Sequence, residues 1–328
     1  MQQYEVFMNS LRSPATKRAY GIYFRRYEEF MNSDDLFCQN NPRLIEQKII
    51  EFIVSLREMG LSYSAIHNYV MTVISFYKIN DVMLNTTKIS KFLPEYKKIK
   101  KDRAYTHEKI SKLLEIADER MRAVILLLAS TGMRIGAIPD LRLRNLEATK
   151  ITIYEGTKEE YFGFITAECK KAVDTYLDMR SRYGEKLQEN SFLIREQFDV
   201  RNPGKPKQTV ANTLFGKLRD LSKRSGIRTK ELPICHGFRK FFTTQLINSK
   251  VNPEIREMLL GHKIDLASAY YRPIEEEMFQ EYEKAINNLT INEENRLRLK
   301  VEKLEVEKTE FEALAADIAR IKKKVKIR

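Results

Sequence analysis

Apolar residues that return every three or four positions constrain this chain more than any other feature. Tyr20, Phe24, Tyr27 and Met31 step by four, three and four, which places all four on one face of a helix. Ser13-Pro14 and Thr16 stand just ahead of them and form a helix-start signal. Burial requires this spacing, so the aromatic stripe reads as core rather than as a base-stacking platform. The same period fills Leu44–Glu58 and Ser62–Ile79, and a helical or irregular stretch follows to about Phe92. No alternating pattern interrupts them. Residues 1–92 are therefore expected to form a small all-helical domain.

A segment with a proline, dense lysine and few apolar residues, residues 93–103 (LPEYKKIKKDR), reads as a basic linker. A second domain is expected over residues 104–286. Thr106 is a plausible N-cap for a helix over 107–118, and Arg120–Ser130 is apolar enough to be a buried helix ending at Gly132. Only here does the period change to two. Lys150–Glu155 and Tyr161–Thr166 alternate around Gly156-Thr157-Lys158-Glu159-Glu160, predicting a β-hairpin. Helices are expected again at 167–184, 209–225, 237–249, 253–260 and 274–286. With only 12 Gly and 9 Pro in 328 residues, a turn-rich all-β fold is a poor fit. The expected fold class is mainly α with one small β-sheet in the second domain.

Residues 287–328 differ again. Leu297, Val301, Leu304, Lys308 and Phe311 step by four, three, four and three, and after a three-residue slip Leu314, Ile318, Ile321 and Val325 continue the pattern. This is a heptad seam. It predicts a C-terminal helix that either joins protomers as a coiled coil or packs singly on a neighbour.

The formal charge is +13, and its distribution says more than its size. Lys88–Arg103 holds seven basic residues against Glu95 and Asp102; Arg201–Lys230 holds nine against Asp220; Ala319–Arg328 holds six and no acid. Three separated basic patches point to a polyanion gripped along the length of the chain, through phosphate contacts that weaken with salt. The residues expected to touch the nucleic acid are Lys17, Arg18, Lys97, Lys98, Lys100, Lys101, Arg201, Lys205 and Lys207. Cys38, Cys169 and Cys235 are far apart, with neither disulfide-framework nor CxxC spacing. The longest clean apolar run, Ala123–Ala129, is too short to cross a bilayer. The N-terminus carries no secretory pattern. A soluble, cytoplasmic, nucleoid-associated protein is expected.

Four short segments carry the reactive groups. Thr131-Gly132-Met133-Arg134 follows the buried helix, Lys158 sits at the hairpin tip, His236-Gly237-Phe238-Arg239 puts His and Arg on one helical face, and Leu260-Gly261-His262 precedes Tyr270-Tyr271. None is diagnostic singly. In this order they resemble the tyrosine recombinases (the phage integrase family), and the ending Tyr-Tyr-Arg-Pro is most similar to archaeal members. The resemblance covers residues 104–286, extends more weakly to the N-terminal domain, and does not reach the heptad tail.

Phosphoryl transfer without a metal needs a nucleophile, an acid for the leaving group and cations for charge on phosphorus. Arg134 and Arg239 suit the non-bridging oxygens, since guanidinium stays charged and donates through a fork. The resemblance implies that Tyr271 attacks and forms a 3′-phosphotyrosyl bond, that Lys158 protonates the leaving 5′ oxygen, that His236 moves the tyrosine proton, and that His262 bonds the phosphate. Tyr270 is the alternative nucleophile, the nine-residue offset from His262 favouring Tyr271; Lys150 is the alternative lysine, less well placed at the start of its strand. Family members usually carry an acid three residues after the first Arg. Here Ala137 stands there, with Asp140 one turn on. No metal site, cofactor or nucleotide-binding Gly-rich loop is expected. The resemblance implies a two-domain clamp on double-stranded DNA, with a dimer on each site and a tetramer in synapsis, in an integrase-like enzyme of a mobile element. A type IB topoisomerase-like relaxing enzyme and a non-catalytic DNA-binding architectural protein are the alternatives.

Overall fold

The computed structural model describes residues 2–31, 41–96, 102–196, 201, 206–229, 231–262 and 271–326. Lys97, Lys98, Lys100, Lys101, Lys205, Tyr270 and Cys38 lie outside them. The chain divides into two compact units, Met1–Ile99 and Lys100–Arg328.

The first unit is helical among its described residues: α1 (Gln2–Ser10), α2 (Pro14–Met31), α3 (Pro42–Glu58), α4 (Tyr63–Ile79) and the short α5 (Thr86–Ser90). Side-chain caps set several starts. Asn41 accepts from the Arg43 amide at 3.1 Å ahead of Pro42, and Ser62 accepts from the Ala65 amide at 3.4 Å, supplying acceptors to amides that have no partner inside the helix. The aromatic stripe of α2 faces inward. Phe24 packs against Phe76 with ring centroids 4.4 Å apart and the planes tilted by 45°, and Phe7 meets Phe76 edge-on at 5.6 Å. Phe7 belongs to α1, a helix the sequence reading passed over. On α2, Arg18 is exposed and Lys17 half-buried.

The second unit is built around α7 (Glu119–Thr131), whose residues Ala123–Ala129 are all buried. Each fully buried Leu or Ile there contributes roughly 1.5–3 kcal/mol. α6 (His107–Ile116), capped by Thr106, and α8 (Ala167–Arg182), capped by Thr166, pack against it. Between them lies an antiparallel sheet in the order β1 (Leu146–Glu147), β2 (Lys150–Ile153), β3 (Tyr161–Phe164), with Ile151 opposite Gly163 and Ile153 opposite Tyr161. Ile151, Ile153 and Phe164 face the core. β1 was not foreseen, because two residues are too few to show alternation.

α9 (Ala211–Arg224), α10 (His236–Asn248), α11 (Pro253–Leu259), α12 (Glu275–Leu289) and α13 (Glu293–Lys326) complete the described elements. α12 is held firmly: the buried Tyr282 hydroxyl donates to the Ser130 carbonyl at 3.0 Å, and Phe279 meets Phe164 edge-on at 5.1 Å. No helix among the described residues is long and apolar enough to cross a membrane.

Candidate active site

The end of α7 shows how sequence becomes site. Gly132 has φ +62°, in the left-handed region that closes a helix. A Cβ there would also lie 2.5 Å from Cδ1 of Phe242, so a side chain is excluded twice over. The chain then turns outward and presents Arg134, exposed, ahead of the 3₁₀ segment Ile135–Asp140.

Arg239 lies in the first turn of α10 and is only 7% exposed. Its Nη1 donates to the Gly132 carbonyl at 2.9 Å; its Nη2 donates to the Leu260 carbonyl at 2.6 Å and lies 2.7 Å from His262 Nε2. Three donors on fixed acceptors hold the guanidinium plane in place. Burial, and then the neighbouring Arg134 cation, lower its pKa, yet a guanidinium keeps its charge at neutral pH.

Guanidinium only donates, so His262 Nε2 must accept, and hydrogen-bond logic puts the imidazole proton on Nδ1, which reaches Glu257 Oε2 at 2.6 Å. The His262 bond, ahead of Arg256, holds Glu257 below the usual carboxylate range. Gly261, at φ +66°, lets the backbone pass against the Tyr161 ring, which any Cβ would overlap.

His236 opens α10 and is exposed. Desolvation first, then the cations of Lys240, Arg239 and Arg134, hold its pKa below the ordinary imidazole value against the pull of Asp102. It is therefore neutral at pH 7 and able to accept a proton.

Lys158 sits exposed in the turn between β2 and β3, where the Thr157 amide bonds the Tyr154 carbonyl at 3.0 Å and Glu160 Oε2 accepts from the Gly156 amide at 2.5 Å. Arg134, Lys158, Tyr161 and His262 line one cleft of about 770 Å³. Tyr271, 36% exposed, lines the adjoining cleft with Lys150 and Arg272, and Glu160, Tyr161 and Met258 border both. Burial, then the carboxylates of Glu277, Glu281 and Glu254, raise the phenol above its usual range. The structure thus brings Arg134, Lys158, Arg239 and His262 together, places His236 within the field of Arg239 and Arg134, and leaves Tyr271 next door.

Lys150 is engaged elsewhere. Its Nζ pairs with Glu275 at 2.6 Å and lies over the Phe162 ring at 5.2 Å, which pins the first residue of α12. Asp140 accepts from Gln208 Nε2 at 2.8 Å, Ala137 is buried, and no described carboxylate ion-pairs with Arg134. The exposed Lys207 and Arg201 lie in the second unit. No described group of three or more His, Cys, Asp or Glu could hold a metal.

Three residues escaped the sequence reading. Tyr161 closes the cleft; burial pushes its phenol up to about 12 against the pull of Arg239 and Arg134, and its buried hydroxyl has no partner of good hydrogen-bond geometry among the described residues. Tyr154, with φ +58°, lies in the same cationic field. Glu257 orients His262. The alternating pattern placed Tyr161 on a strand but not beside Arg239, and nothing in the sequence marks Glu257, five residues before its partner.

The Phage integrase family profile matches residues 103–277. Tyrosine recombinase XerC of Oceanobacillus iheyensis is 25% identical over 292 residues, covering 82% of this chain and 88% of the relative. Tyrosine recombinase XerA of Pyrococcus furiosus is 23% identical over 250 residues, covering 73% and 78%; with a bacterial and an archaeal relative both matching, the archaeal flavour of the Tyr-Tyr-Arg-Pro ending is matched only in part. A lambda integrase (75–356) dimer bound to a COC′ core site shares the fold at TM-score 0.58, with 15% identity and coverage of 83% of this chain and 94% of that one. XerH site-specific recombinase bound to its difH substrate does so at TM-score 0.55, with 18% identity and coverage of 81% and 79%. The chain belongs to the phage integrase family and is a tyrosine-type site-specific recombinase.

Proposed function

We propose that the protein cuts and rejoins double-stranded DNA through a 3′-phosphotyrosyl intermediate, with no metal or nucleotide in the reaction. The observation that carries this reading is the cleft in which Arg134, Lys158 and His262 converge, with Arg239 bonded to His262 and to the turn that presents Arg134. A phosphodiester seated there meets two guanidinium groups that suit its non-bridging oxygens, so charge growing on phosphorus is stabilised by cations, that of Arg239 already held in place. The Tyr271 hydroxyl attacks phosphorus and the bond to the 5′ oxygen breaks. Because that phenol resists ionisation, its proton needs an acceptor, and the neutral His236 supplies one. Lys158, exposed on the turn that lines the cleft, gives a proton to the leaving 5′ oxygen. Attack by a 5′ hydroxyl reverses the sequence and restores the phosphodiester.

Two relatives by fold were captured on DNA, one of them also as a tetramer on a Holliday junction. By this likeness the substrate is duplex DNA, protomers act as dimers on each site and tetramers in synapsis, and the exposed Lys207, Arg201 and Arg18 and the half-buried Lys17 meet backbone phosphate, with Lys97, Lys98, Lys100, Lys101 and Lys205 assigned the same role from sequence alone.

The test is covalent trapping on nicked suicide duplexes drawn from DNA flanking the gene, in chelator. An adduct that survives denaturant in the wild type and in Tyr270→Phe but vanishes in Tyr271→Phe is the expected outcome. Loss only in Tyr270→Phe moves the nucleophile by one residue. Absence of any adduct on DNA that the protein binds overturns catalysis in favour of an architectural role.

A further inference from the structure

Among the described helices of the second unit, α13 exposes a whole stripe of large apolar residues where α9 and α10 expose single ones, Phe215 and Ile247. Over its 34 residues, about 51 Å of helix, Leu297, Val301, Leu304, Phe311, Leu314 and Ile318 are 46–72% exposed, and none joins the apolar core of the unit. A stripe of this length on a monomer marks a surface built for a partner.

We propose that α13 pairs in parallel with α13 of a second copy of this chain, joining two protomers before any DNA is bound. The spacing selects the occupant. Leu297, Leu304, Phe311 and Ile318 are separated by uninterrupted sevens, and Val301 takes the other seam position, so the surface matches a helix with the same 3.5-residue repeat. Leu314 and Ile321 widen that seam rather than break it. Charge sets the direction. In a parallel, in-register pair the flanking contacts join residue i of one helix to i+5 of the other, which sets Glu293 against Arg298 and Lys300 against Glu305. Glu307 and Glu312 oppose each other, but Lys308 enters the seam in the same layer and its ammonium offsets them.

The joint at the base of α13 gives the pairing a consequence. Glu168 accepts from the Ile291 amide at 2.7 Å and the Asn292 amide at 3.1 Å, and Arg296 Nη1 donates to the Thr290 and Ile291 carbonyls at 3.4 and 3.3 Å. The helix leaves the second unit in a fixed direction, so pairing sets the spacing of two catalytic clefts as well as raising their mutual concentration.

Light scattering on the full-length, DNA-free protein tests this without reference to catalysis. A mass near twice 38.6 kDa is expected at micromolar concentration, falling to the monomer value in the double variant Leu304→Glu/Phe311→Glu. That variant should retain suicide-duplex adduct formation within about twofold, showing that the unit still folds. Under mild oxidation Leu304→Cys should give a disulfide-linked dimer that wild type and Val306→Cys, off the seam, do not. A wild-type monomer, a dimer that persists in the double variant, or a dimer without preferential Leu304→Cys linkage overturns the proposal. The last two outcomes would place α13 against another surface, and a monomer that pairs only when DNA is added would give its basic end to the nucleic acid.

Discussion

Arg134 and Arg239 are the same residue type at one site, Arg239 bonded to the glycine two residues ahead of Arg134, and the fold treats them in opposite ways. Arg239 is buried and tied by three bonds to two carbonyls and an imidazole. Arg134 is exposed, and no described carboxylate pairs with it. Lys158 and Tyr271 share the exposure of Arg134; His262, though exposed, and the half-buried Glu257 share the hydrogen-bond tethering of Arg239. One half of the site is held by hydrogen bonds of the folded chain and exists before substrate arrives. The other half stands exposed and has no such tether. Preorganisation supplies charge stabilisation without a reorganisation cost, while the exposed half keeps the cleft open to something as large as a duplex.

The largest effect should come from removing the buried member. Arg239→Ala strips the cleft of a fixed cation and leaves the Gly132 and Leu260 carbonyls unbonded, so suicide-duplex cleavage should fall by at least about 10³-fold and stability by about 2–4 kcal/mol in urea titration. Arg134→Ala should cost about 10²–10³ in cleavage with an unchanged urea midpoint. Equal destabilisation by the two would break the contrast. Gly132→Ala probes the support rather than the chemistry: a left-handed φ and the overlap with Phe242 should together cost about 3 kcal/mol, read as a lowered melting temperature.

A smaller effect concerns pH. The His236 pKa lies below the ordinary value of about 6.5, so the imidazole keeps its accepting form to lower pH than a free histidine, and single-turnover cleavage should hold through pH 6.5 and fall only beneath it. The unfolded chain binds this proton first, so the His236 contribution to stability is present above the unfolded value and is lost as pH falls through the lower folded one. Lys240→Met, which removes a cation that depresses the imidazole, should move the acid limb upward; a limb that stays put or moves down would detach His236 from the proton transfer. Smallest of all is Tyr161→Phe. Its hydroxyl is buried without a well-formed bond, so the variant should cleave within about threefold of wild type and be at least as stable. A loss of tenfold or more would make that phenol part of the exposed half's chemistry.

The fold was legible wherever burial imposes a period. The α2 stripe, the apolar α7 with its glycine stop, and the β2–β3 hairpin follow from spacing alone, because each must hide one face. α1 was missed although Tyr4, Phe7 and Met8 show helical spacing, since nine residues hold too few turns for the period to stand out. The site was legible as a set of residue types in order, and the resemblance rests on that order. Its division into a tied and an untied half was not. That division depends on which carbonyls face Arg239, and those belong to Gly132 and Leu260, whose side chains carry no trace of the role. Lys150 and Lys158 differ by the same logic: one starts the hairpin and the other sits in its turn, and only the position of Glu275 on a distant helix commits Lys150 to an ion pair.

The anchoring of α12 fixes how far Tyr271, the proposed nucleophile, can travel. Tyr282 on Ser130, Phe279 on Phe164 and Glu275 on Lys150 immobilise the helix from its first residue, and Tyr271 stands four residues upstream. Four residues at full extension cover about 14 Å. From this downstream side Tyr271 is on a leash of known length: its backbone stays within that radius of the first turn of α12, and its hydroxyl reaches one side-chain length further. Reach becomes a form of specificity: a nucleophile so tethered selects its target bond by distance before any base is read.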